Sequence, residues 1–295
     1  MDANAHAHAA AVEPRIDAPA PVAAPAPPAL WRLDLATIGV LVSRDLRRFF
    51  RQLSRVVGAL VQPLIFWLVI GSGMSSSFHM PGAEGVGYVQ YFYPGIVMLV
   101  VLFTSIFTTM SVIEDRHKGF LQAVLVAPAS RSALVLGKTL GGVAIALMQS
   151  AIFLALAPLA GFHAGTIQWA ELALLLTLTG VGLSSMGFAI AWWLDSTQGY
   201  HVVMSVLLIP LWILSGAMFP LGQASRGATW IWMLGRANPL AYAVDGVRRA
   251  LYGGVVPGGG ASATSGALAL GVTAAFAVVA VAVAVRVCSR RGDKP

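Results

Sequence analysis

A single cysteine, Cys288, stands in 295 residues, so no disulfide can form within the chain and a cross-linked scaffold is excluded. Charge is also low for a chain of this length. Asp, Glu, Lys and Arg make up 11% of the residues against 57% hydrophobic ones, and mean hydropathy is +0.77. A soluble domain of this length cannot hide so much apolar surface, which leaves an all-α chain that crosses a membrane several times. Acid is the rarer sign, 12 Asp and Glu against 19 Lys and Arg. The basic excess does not point to nucleic acid, because its residues cluster beside apolar runs, where they fix membrane orientation.

Motifs for chemistry are also missing. No GxSxG turn or HExxH pair occurs in an apolar run, so intramembrane hydrolysis has neither nucleophile nor metal pair. The LGKT stretch at 136–139 resembles the end of a phosphate-binding loop, but Ser132 stands where its glycine belongs. GVGYVQ at 85–90 begins like GxGxxG and fails at Gln90. No ATP, metal or other cofactor is therefore expected on this chain. His117, His163 and His201 fall at span edges, and His6 and His8 in the N-terminal tail are at most weak metal ligands.

Residues 1–29 are Ala/Pro-rich, favour extended polyproline geometry, and offer no unbroken apolar stretch for a signal peptide. From Leu30, Arg44, Arg47, Arg48, Arg51 and Arg55 recur at steps of three and four, opposite Val42, Leu46, Phe49, Phe50 and Leu53. That spacing predicts an amphipathic helix lying in the interface, its arginines reaching toward lipid headgroups. Six runs are long enough for a core that needs ~20 apolar residues. They lie near 56–74, 92–113, 135–160, 170–194, 202–221 and 267–287, with residues 291–295 as a C-terminal tail. TGVGLSSMG at 179–187 is a seam of small residues for close helix packing.

Lys and Arg counts alternate between sides. The amphipathic helix through Arg55, residues 114–138 and the C-terminal end carry fourteen, whereas loops 75–91 and 161–169 carry none. Both termini are therefore expected in the cytoplasm, in a cytoplasmic (inner) membrane. The segment 222–265 breaks the rule with Arg226, Arg236, Arg248 and Arg249. It is too polar to span, and is expected to form one or two short re-entrant helices, with Asn238 capping, Pro239 at the first position and Asp245 pairing with Arg248 or Arg249. Tryptophans in WIWMLGRANP sit where interfacial anchors belong.

No charge falls near the centre of a span. Lys138 is expected to snorkel to the cytoplasmic end, Glu171 lies at the outer edge and Asp195 closes the fourth span. A proton relay thus has little to use, and the energy for any transport is expected from elsewhere.

Between spans two and three lies IEDRHKGFLQAVLVAPASR, residues 113–131. After its charges and Gly119, Phe120, Leu121, Val124 and Leu125 recur at helical spacing until Pro128. A helix too short to span and tied at both ends to spans is suited to docking in a groove.

The order Glu114, Gly119, Leu121, Pro128, Ser130, Arg131, then Leu136, Gly137 and Lys138, resembles the signature of type-2 permeases of ATP-binding-cassette (ABC) exporters. These include the daunorubicin-resistance and nodulation-factor export permeases. NPLAYAVDGVRRALYG at 238–253, with Asn238, Pro239, Tyr242, Asp245 and Arg248, resembles the element before that family's last span. The family often has Gly-Thr and then an acid where this chain has Gly119, Phe120 and Gln122. The resemblance covers 30–290 and implies a homodimeric permease working with two copies of a separate ATPase subunit, which binds ATP and Mg. Glu114 and Arg116 would hold the end of span two, and Phe120 and Val124 would form the docking face. An amphiphilic cargo is expected to move between protomers, with Phe66, Trp67, Phe103, Phe107, Trp212 and Met218 as path candidates. The alternatives are an ion-coupled secondary carrier and a non-transporting membrane scaffold.

Overall fold

A computed structural model of the chain describes residues 29–77, 85–220, 229–254 and 264–290. The N-terminal tail over 1–28 and residues 291–295 lie outside the described residues. Within them no strand occurs, and the order is α1 (Leu30–Phe50), α2 (Leu53–Met74), α3 (Tyr88–Thr109), α4 (Ser111–His117), α5 (Phe120–Val126), α6 (Arg131–Leu154), a 3₁₀ turn (Ala157–Ala160), α7 (Trp169–Trp193), α8 (Thr197–Ile213), α9 (Thr229–Ala237), α10 (Pro239–Leu251) and α11 (Gly266–Arg290).

Among the described residues five helices are long and apolar enough to cross a membrane: Val56–Met74, α3 running on through α4 as Tyr88–His117, α6, α7 and α11. The expected sixth, near 202–221, is shorter. α8 has 17 residues, about 25 Å at 1.5 Å per residue, against a hydrocarbon core of about 30 Å. Ser196 opens it by accepting from the Gly199 amide, and after Pro210 the chain turns at Gly216, whose φ of +78° ends helical geometry. The third run also stops early: α6 ends at Leu154, and the residues to Ala160 tighten into the 3₁₀ turn around Pro158.

α7 is the hub of the bundle, packed against α3, α6 and α11. Its small residues permit that, as the seam at 179–187 predicts. A Cβ at Gly182 would collide with the Phe276 ring of α11, and one at Gly187 would lie 3.0 Å from the Tyr200 hydroxyl. Opposite, a Cβ at Gly142 of α6 would come within 2.9 Å of Ser184 Oγ. α3 is the most buried span, and Tyr93 on it stacks on Phe153 at 5.4 Å and meets Trp67 edge-on at 5.2 Å.

α1 does not simply float in the interface. It lies along α6 with Leu41, Asp45 and Phe49 buried, close enough that a Cβ at Gly137 would sit 2.7 Å from Leu41 Cδ1. Arg44 and Arg48 turn to protein carboxylates instead of headgroups, Arg47 and Arg51 are exposed, and the Arg55 side chain of the predicted stripe lies outside the described residues.

Candidate functional site

The 113–131 segment folds as α4, a reversal, and α5. Gly119 makes the reversal at φ +73°, a conformation that costs any residue with a Cβ. Ala127 is extended ahead of Pro128, as the proline ring requires, and Ser130 then caps α6 by accepting from the Ala133 amide at 3.1 Å.

Three neighbouring helices clamp this segment. Asp34 of α1 accepts from the Ser130 amide and hydroxyl, both at 2.8 Å. At the other end Arg48 pairs with Glu114 and Arg44 with Asp115. Arg116 donates to Asp195 at 2.9 Å and to the Trp192 carbonyl at 2.9 Å, anchoring α4 to the end of α7. Arg131 lies against Cys288 of α11. Glu114 and Arg116 thus tie α4 to α1 on one side and to the end of α7 on the other.

Beneath the clamp, Lys138 does not snorkel. Its side chain is 1% exposed, and Nζ donates to Asp45 at 3.1 Å, Asp115 at 2.6 Å and Ser111 at 3.3 Å. Snorkelling is unnecessary because two carboxylates approach it from α1 and α4. Burial raises the Asp45 pKa above the usual carboxylate value, against the opposing pull of Lys138. The cluster of Arg44, Arg48, Lys138, Asp45, Glu114 and Asp115 balances three positive charges with three negative ones. Asp34, Asp45 and Asp115 escape sequence reasoning. The available signal was Lys138 itself, the one lysine in the apolar run 132–154, which needed an acidic partner.

α5 presents its faces unequally. Leu121 is 2% exposed, Phe120 is partly buried with the Arg44 guanidinium 3.6 Å from its ring centroid, and Val124 and Leu125 pack toward the core. The outward residues are Gln122, Ala123, Val126, Ala127 and Pro128, with Val126 88% exposed. The apolar stripe predicted for docking therefore turns largely inward, where α4 packs alongside it and Arg44 of α1 covers Phe120. A cavity of about 270 Å³ separates α5 from the end of α7, between Leu121, Gln122 and Leu125 on one side and Arg116, Trp192 and Asp195 on the other.

At the opposite end, Asn238 accepts from the Leu240 amide at 2.9 Å and donates to the Leu211 carbonyl at 2.7 Å, so it caps α10 and ties it to α8. Pro239 occupies the first helical turn, and Tyr242 donates to the Arg236 carbonyl at 3.1 Å. Arg248 is 6% exposed, pairs with Asp245 at 3.2 Å, donates to the Gly216 carbonyl at 3.0 Å and lies 4.4 Å from the Tyr91 ring centroid. Burial raises the Asp245 pKa, countered by Arg248. Arg249 approaches Glu171 at 3.9 Å, and Arg236 stacks on Trp232. The described arginines on this side thus meet protein groups, whereas Arg226 lies outside the described residues. α10 is packed among α3, α7 and α11, while α9 exposes Trp230, Met233 and Leu234.

The six path candidates do not line one surface. Trp67 and Trp212 are buried, donating to the Val89 and Gly95 carbonyls at 3.0 and 2.8 Å, so their rings fill the core. Phe103 and Phe107 stack at 5.9 Å, Phe66 is 38% exposed on α2, and Met218 is partly buried.

A bundle of apolar helices with a clamped short helix at one end and a capped helix pair at the other has the build of a multi-pass membrane transport subunit. The chain belongs to the ABC-2 type transporter family, whose model matches residues 36–252. It is 26% identical to a putative transport permease, ycf38, of Cyanophora paradoxa, over 68% of this chain and 71% of that one. It is 25% identical to the daunorubicin resistance ABC transporter permease protein DrrB1 of Streptomyces coeruleorubidus, over 68% and 69%. With the inner membrane transport permease YadH of Escherichia coli K12 it shares 24% identity over 72% and 81%.

Proposed function

We propose that this chain is the permease subunit of an ATP-driven exporter, coupled to a separate ATPase through residues 113–131 and working as a homodimer that moves an amphiphilic cargo out across the cytoplasmic membrane. The clamp carries this reading. The short helix α5 is tied on both sides to anchored chain: α4 before it pairs with α1, α6 and the residue after α7, and Ser130 after it bonds Asp34 of α1, so α5 is not displaced alone. A push on its outer face reaches the starts and ends of several spans at once. Apart from Gln122, the outer face consists of small and apolar residues around Val126, suited to an apolar groove on a partner. ATP and Mg belong to that partner, and both termini of this chain face the same cytoplasmic side as the segment. The relative named for daunorubicin resistance supports an apolar or amphiphilic cargo.

Purification from the native host in mild detergent tests the coupling. A stoichiometric nucleotide-binding subunit is expected, lost in the double variant Ala123→Asp with Val126→Asp and retained in Trp230→Ala on the far side. Reproducible absence of any ATPase under cross-linking would overturn the reading. The buried carboxylates of Asp45 and Asp115 give the ion-coupled carrier a specific observation in its favour. Transport that stops on dissipating the proton gradient while ATP is held constant would establish that alternative.

A further inference from the structure

Gln149 of α6 is fully buried, and its Oε1 accepts from the Thr104 hydroxyl of α3, but its Nε2 has no hydrogen-bond partner among the described residues. An amide left unpaired away from water costs about 1–3 kcal/mol, so such a group in a folded protein ordinarily has a partner, whether protein, water or a bound molecule. Gln149 lines an open cavity between α1, α2, α3, the start of α4 and α6. We infer that this cavity is a binding site for the oxygen-bearing end of an uncharged amphiphile, a carbonyl or hydroxyl head accepting from Gln149 with its hydrocarbon trailing outward.

The size fits a head and not a whole lipid. About 30 Å³ is open to water-sized occupants, within about 450 Å³ of unfilled space that includes the mouth. The smaller volume holds one or two waters or a group of a few heavy atoms. Phe49, Ala59, Phe107 and Ile145 wall it with hydrocarbon, while its polar lining beyond Gln149 and Thr104 is already engaged: Thr108 donates to the Thr104 carbonyl, Ser111 accepts from Lys138, and Asp45 and Arg48 are in ion pairs. Beside Phe49 and Ala59, Phe50 and Val57 are each 55% exposed, so the walls continue into an apolar surface. Charge selects against ions. The Asp45 and Arg48 side chains at the cavity belong to the balanced cluster, whose three cations already face three carboxylates. An anionic head would have to break those pairs.

The test uses the full chain in phosphatidylcholine nanodiscs with a diazirine-bearing monoacylglycerol, and a chain-matched diazirine phosphatidylglycerol as the anionic counterpart. The neutral probe is expected to label peptides containing residues 104–108 and 145–149. Labelling there should fall about fivefold in Gln149→Leu, the loss of one hydrogen bond, and further in Ile145→Trp, which fills the space. Labelling of α8 should not change. Should Ile145→Trp fail to fold, Gln149→Leu and Thr104→Val carry the comparison. Label confined to the exposed faces of α2 and α8, as a water-filled cavity would give, overturns the inference. So does labelling indifferent to the variants, or equal labelling by the anionic probe. With an ATPase subunit bound, loss of the cavity label on adding ATP identifies a transported molecule, and retention identifies a resident bilayer lipid; either keeps the site. The nanodisc measurement needs no ATPase, so its failure would leave the proposed coupling untouched, and a failed copurification would leave the cavity untouched.

Discussion

Lys138 shows how far one residue can govern an end of the bundle. Replacing it with methionine leaves Asp45 and Asp115 buried without their shared cation, and breaking a buried pair in this way costs about 3–5 kcal/mol. Lys138→Met should therefore lower the thermal midpoint in detergent markedly, and adding Asp45→Asn should recover part of the loss because one orphaned charge disappears. Equal instability of the single and double variants would mean that Lys138 acts through packing. Gly119 raises a different issue. Nothing lies within 4 Å of the Cβ it lacks, so a substitution meets no clash and the cost is conformational. Gly119→Val should cost about 1–2 kcal/mol through left-handed geometry, with Gly119→Asn milder because asparagine tolerates that region. If the two variants melt together, the reversal between α4 and α5 is not held at φ +73°.

At the level of helices, much of the architecture was legible from hydrophobic run length, because α2, α3, α6, α7 and α11 each carry one long apolar stretch bounded by polar residues or glycine. The sixth run misled. Residues 214–219 are apolar enough to extend a span, but the Gly216 turn, fixed by Arg248 and Tyr91 both donating to its carbonyl, is a long-range contact that no local pattern displays. The segment 113–131 was legible as a helix, though not its inward face, since the Arg44 guanidinium that covers Phe120 comes from α1, distant in sequence. Small-residue packing is the most local of these rules, and it gives a direct test. Gly182→Val should cost about 1–3 kcal/mol by overpacking against Phe276, and Phe276→Ala in the same chain should restore much of the thermal midpoint. Without rescue, α7 and α11 do not meet at that point.

For the whole molecule, the question is what covers the apolar helices that the protomer leaves bare. α2 and α8 are the least covered: Val61, Ile65, Leu68 and Val69 on one, and Val202, Val206 and Ile209 on the other, are each at least 41% exposed. Lipid covers single apolar residues without difficulty, but α8 is too short to match the bilayer core alone, a mismatch that packing against another protein helix relieves. In the proposed homodimer, α8 therefore lies toward the second protomer. On a Cys288→Ser background, Val206→Cys, at a position 71% exposed, is expected to form an oxidised dimer in native membranes. Leu208→Cys, at a position 1% exposed and turned to the protomer core, should stay monomeric. Cross-linking at both positions would show that α8 unpacks in the membrane. If neither cross-links while Val278→Cys on α11 does, the partner surface moves to the other side of the bundle, and a path between protomers would have to run beside α11.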